Sequence, residues 1–127
     1  MAIKRDAADI WFSKAVRARD KHCQSCGKTD TLQAMHIVGR RSKIVRYSLD
    51  NAVTGCAACH RYFGENPLAF HDWLRNLYGD GHLDLLREKS RGLLKTNEAL
   101  RREIAKHYRE ELKKLEADPD YKLISFN

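Results

Sequence analysis

Two CxxC pairs, Cys23-Gln-Ser-Cys26 and Cys56-Ala-Ala-Cys59, bracket His36 and Asn51, and His60 follows the second pair directly. A CxxC lets two sulfurs approach one ion from a single turn, and two such turns complete a tetrahedron with Zn–S bonds of about 2.3 Å. The four cysteines are therefore expected to hold a structural Zn²⁺. The interval between the pairs, residues 27–55, is somewhat longer than in a usual zinc ribbon. Read singly, His36 is a packed strand histidine, His60 a substitute zinc ligand, and Asn51 a turn former. His22, beside Cys23, is a further substitute ligand. Together these side chains suit other chemistry. Hydrolysing a phosphodiester needs an activated water, charge relief on the phosphate and help for the departing oxygen. A neutral imidazole can take the water's proton, and a divalent cation can polarise the phosphate.

Charge points to the same class of partner. The net charge is +7, with 11 Lys/Arg against 5 Asp/Glu in residues 1–60 and 13 against 12 in residues 61–127. Nearly all the excess lies in the cysteine-framed half, which favours a polyanion such as nucleic acid. Arg40, Arg41, Lys43 and Arg46 form a basic connection soon after His36 and are the expected DNA-binding residues. No apolar run approaches the roughly 20 residues that span a bilayer. The charged N-terminus lacks an apolar leader, so no membrane partner and a cytoplasmic location are expected. Paired thiols in that setting more readily hold metal than form disulfides.

These residues need elements to carry them. Asp6 is placed to cap a helix in which Ala8, Trp11, Phe12, Ala15, Val16 and Arg19 recur at helical spacing. Thr31 to Val38 reads as a short strand with His36 near its end. The basic connection shows no period. Leu49 to Gly55 reads as a turn and a second strand, and a helix from about Ala57 carries His60. Asn66-Pro67 is a helix start with a capping amide, Gly79 a stop, and Asp80 a cap for another short helix. A long helix from about Asn97 to Ala117 carries Leu100, Ile104, Tyr108, Leu112 and Leu115 on one stripe. The expected division is a zinc-bound domain over residues 1–95 and a C-terminal helix and tail over 96–127, used for packing or self-association.

The order of Cys23/Cys26, Met35-His36-Ile37, Asp50-Asn51-Ala52-Val53 and Cys56/Cys59-His60 resembles the HNH (ββα-metal) endonuclease family. With the Ala8 to Asp20 stretch before the first pair, the chain looks more narrowly like the phage NinG/Rap recombination nucleases. The resemblance implies an α+β fold, a small zinc-stapled ββα-metal core with flanking helices. It implies a metal-dependent DNA endonuclease acting on branched intermediates such as Holliday junctions or D-loops. The alternatives are a nicking or packaging-associated nuclease on duplex DNA and a non-catalytic zinc domain that binds nucleic acid. By the same resemblance His36 is the general base. Asn51 either orients it or binds the catalytic Mg²⁺ or Mn²⁺, and His60 is a ligand to that ion. The family often carries Asp or His just before the base, where this chain has Met35, and a thioether is a poor ligand for hard cations. Asp50 and Glu65 are then further candidate ligands. A symmetric junction would suit a homodimer, with the Leu100–Leu115 stripe as its seam.

Overall fold

The computed structural model describes residues 5–92, 94 and 96–127. The first four residues and the boundary expected at residue 95 lie outside them. Helix α1 (Ala7–Asp20) starts at a reciprocal capping box: Asp6 accepts from the Asp9 backbone N–H, and Asp9 accepts from that of Asp6. Two of the helix's orphan donors are satisfied this way. Its apolar face buries Ala8, Phe12, Ala15 and Val16.

Strands β1 (Leu32–His36) and β2 (Ala52–Cys56) pair antiparallel, with Met35 opposite Val53 and His36 opposite Ala52. Because side chains alternate across a strand, the hairpin feeds two cores. Ala34 and Ala52 pack toward α1 with Phe12, Val16, Tyr47 and Leu49. Met35 and Val53 face the other way, toward Phe63, Leu74 and Leu83. Between the strands the basic connection forms a one-turn helix, α2 (Lys43–Arg46), then a 3-10 turn at Leu49–Asn51.

Helix α3 (Ala57–Glu65) follows β2 without a break, capped by the Cys56 sulfur. Helices α4 (Pro67–Tyr78) and α5 (Asp80–Ser90) close the second core. Pro67 opens α4 as expected, but the Asn66 amide donates back to the Tyr62 carbonyl (2.8 Å) and does not cap. Asp80 lies inside the first turn of α5 and pairs with Arg75. Gly79, at φ +89°, makes the turn between the two helices.

Helix α6 (Glu98–Ala117) is capped by Asn97, whose side chain accepts from Leu100 N–H (2.8 Å). Its stripe lies against α1: Ile104 and Tyr108 are buried in the first core, with Leu100 and Leu112 packed beside them. Residues 1–95 and 96–127 thus share one core among the described residues. Four of the five stripe residues are used in this way within the chain. The tail folds back on the buried Glu111 carboxylate, which accepts from Tyr121 Oη (2.8 Å) and Ile124 N–H (2.6 Å). Among the described residues, no helix is long and apolar enough to cross a membrane.

Candidate functional site

The two knuckles bring the Sγ atoms of Cys23, Cys26, Cys56 and Cys59 within 4.8 Å of one another. Tetrahedral zinc with bonds of about 2.3 Å requires sulfur–sulfur edges of about 3.8 Å, and Cys26 and Cys56 stand 3.7 Å apart. Each pair is preshaped by its own backbone. The Cys26 N–H points at the Cys23 sulfur and the Cys59 N–H at the Cys56 sulfur, both at 3.4 Å. Gly27, at φ +82°, lets the first knuckle turn so that Cys23 N–H reaches the Lys28 carbonyl (2.8 Å). Burial pushes the Cys23 thiol up, but N–H donors from Cys26, Cys56 and Ser25 outweigh it and bring it down to about 6. Burial and the adjoining Cys56 drive Cys59 up to about 12. Four crowded thiols cannot all ionise alone; a dication removes that conflict. The donors fit a metal such as zinc. His22 and His60 stand outside the quartet, and His22 is turned onto the Cys23 carbonyl (3.0 Å).

His36 and His60 line one groove of about 590 Å³, together with Asp9, Ser13 and Arg17 of α1, Gln33 of β1, and Arg40. His36, at the end of β1, packs its ring on Phe12 with centroids 5.5 Å apart. Its Nε2 lies 3.0 Å from the Arg46 carbonyl oxygen. A carbonyl only accepts, so Nε2 carries the proton and Nδ1 keeps the lone pair. Burial holds the His36 pKa below its ordinary 6.5; the Arg46 carbonyl opposes this and the Arg40 charge adds to it. The ring is therefore neutral at neutral pH. His60, on α3, is also lowered by burial. Its Nδ1 meets the Gln33 amide oxygen at 2.6 Å, which leaves Nε2 with the lone pair.

Asn51 does not face this groove. It is fully buried, its amide oxygen accepts from Val38 N–H (2.7 Å), and its amide nitrogen donates to the carbonyls of Val38 (2.9 Å) and Val45 (3.1 Å). It ties together the two ends of the loop that follows His36. Asp50 lies in a different cleft, with Arg19, Tyr78 and His82, and Glu65 is exposed at the end of α3. Neither lines the His36–His60 groove. Met35 is buried in the second core, where its thioether lies against Gly55.

The basic connection divides. Arg41 and Lys43 are exposed, and Arg40 lines the groove. Arg46 is buried and pairs with the buried Asp9, Nε to Oδ1 at 3.0 Å, so it builds the site from within and is not a surface contact for DNA. Arg40 approaches the same carboxylate at 3.8 Å. The α1 residues Asp9, Ser13 and Arg17 were not anticipated. Their signal was a polar i, i+4, i+8 row running beside the apolar face of that helix.

A family model described as the bacteriophage lambda NinG protein matches residues 5–118. No curated protein and no solved structure matches the chain.

Proposed function

The chain belongs to the bacteriophage lambda NinG family, and from that premise we propose that it is an HNH-type DNA endonuclease acting on branched recombination intermediates. One observation carries the reading: two neutral imidazoles, each held in one tautomer, line a single arginine-bordered groove. In the proposed reaction His36 Nδ1 takes a proton from water as that oxygen attacks phosphorus. The bond from phosphorus to the 3′ oxygen breaks, giving a 5′-phosphate and, after protonation from solvent, a 3′-hydroxyl. Asn51 and the Arg46 carbonyl act as positioning groups, holding the loop and ring so that Nδ1 remains the basic atom.

The expected catalytic Mg²⁺ or Mn²⁺ fits this groove poorly as a protein-held ion. Hard cations take oxygen ligands, chiefly carboxylates. The groove's carboxylate, Asp9, is committed to Arg46, and the Asn51 amide is buried elsewhere. With His36 Nδ1 serving as the base, His60 Nε2 is the imidazole nitrogen left to a metal. Among the described residues the cysteine quartet is the sole cluster able to hold a metal unaided.

Comparing cleavage of a labelled four-way junction with cleavage of its linear arms tests the substrate class. The proposal predicts cutting near the branch point and little on the arms; equal cutting of both would assign the activity to ordinary duplex. The buried Met35 favours a second reading, a zinc domain that binds nucleic acid without cutting it. Binding of junction DNA with no cleavage under any divalent ion would select that reading.

A further inference from the structure

The donors lining the His36–His60 groove are wrong for a resting cation and right for a resting anion. Arg5, Arg17 and Arg40 border it, and Arg46 stands behind it. Against these four guanidiniums the groove sets one carboxylate, Asp9, already shared by Arg46 and Arg40. A hard dication entering alone would find no uncommitted carboxylate in the groove and a surplus of positive charge.

Arg17 is the prepared member. It is half-buried on α1, and its Nε donates to the Ser13 carbonyl one turn earlier (3.2 Å). That bond fixes the plane of the guanidinium. Its two terminal nitrogens have no protein partner among the described residues. A planar fork held at its base, with its tips unused, matches two oxygens of a phosphate.

We propose that this groove is an anion site in its own right, which takes a phosphodiester on Arg17 and Arg40 before any divalent cation is present. The proposal rests on the endonuclease reading for the origin of the phosphate in DNA, but not for the binding itself. Any divalent ion the reaction uses would then arrive with ligands supplied by the phosphate.

The test is a titration of inorganic phosphate, and separately of a thymidine dinucleotide, followed through the His36 and His60 ring resonances. The protein is used as purified, in buffer without added divalent ions and without chelator, so that the cysteine site keeps its metal. Both ligands are expected to shift the two rings. Arg17→Gln should weaken binding by about tenfold or more, as loss of a bidentate charged contact does. Arg102→Gln, which removes the same charge from the exposed face of α6, should leave it unchanged. Ring shifts that appear only after Mn²⁺ is added, or an Arg17→Gln protein that binds like the wild type, would overturn the proposal. A response to inorganic phosphate alone would overturn its assignment to a diester. Anion binding without DNA cleavage would sink the endonuclease reading and leave this one standing; cleavage with Mn²⁺-dependent anion binding would do the reverse.

Discussion

Replacing Asn51 separates the two roles open to it. Its side chain makes three hydrogen bonds, all to the main chain and all buried. At about 1 kcal/mol net for each bond, Asn51→Ala should cost about 3 kcal/mol, and more where Val38 or Val45 is left unpaired. For a chain of 127 residues the unfolding entropy is about 270 cal/mol/K, so that loss lowers the melting temperature by about 11 °C. Asn51→Asp is the sharper variant. The introduced carboxyl keeps the acceptor for Val38 N–H but sets a second oxygen against the carbonyls of Val38 and Val45. At neutral pH it must either bury an anion or take up a proton, so its folded pKa is raised. A raised carboxyl pKa means the native state binds more protons than the unfolded chain. Stability then falls as pH climbs from the ordinary carboxyl value of about 4 toward the raised one. Thermal melts at pH 4.5 and 7.5 should therefore show Asn51→Asp losing more stability than Asn51→Ala at the higher pH and recovering part of it at the lower. A metal ligand would behave oppositely, because a carboxylate binds hard cations better than an amide does. An Asn51→Asp protein as stable as the wild type at pH 7.5, with tighter Mn²⁺ binding, would refute the positioning role.

Cys26→Ser is expected to prevent folding or cost several kcal/mol, because metal binding is folding energy in small domains. Metal analysis should find one zinc per chain, and its absence from protein purified without chelators would contradict the cysteine site. Cleavage should require neutral His36, so its acid limb should have a midpoint below the ordinary 6.5. A midpoint above that value, in a pH–rate profile of kcat/KM, would count against His36 as the base. Gly55→Ala would set a Cβ 2.5 Å from the Met35 sulfur in a closed core. Overpacking of this kind costs about 1–3 kcal/mol, and a variant with unchanged denaturant midpoint would disprove the close approach.

What the sequence disclosed followed the range of the interaction. The cysteine quartet was legible because each pair closes within four residues, the first with Gly27 to turn it and the second at the start of α3. The cap Asp6 was legible for the same reason: it accepts a bond from the backbone N–H three residues on. Asn66 was not, since its amide had a competing partner one turn back in α3. Helix α2 was missed because four residues show no period; burial of Val45 and Tyr47 and the Asn51 bonds shape that segment. Arg46 read as one more surface cation because its partner, Asp9, lies 37 positions away in sequence. The α1 wall of the groove was hidden likewise, since only the packing of that helix on the hairpin brings Arg17 near His60. The resemblance implied only that Met35 stands where a ligand is often found; the fold shows its thioether filling the second core beside Gly55.

The central claim is that His36 is the base of a DNA-cutting groove. Its most direct test compares wild-type protein with His36→Ala on labelled junction DNA, scoring cleavage in a denaturing gel and binding in a native one, with zinc content and melting temperature matched. If His36 is the base, cleavage is lost by about two orders of magnitude or more while binding is retained. Undiminished cutting by His36→Ala, or no cutting by the wild type, would contradict it.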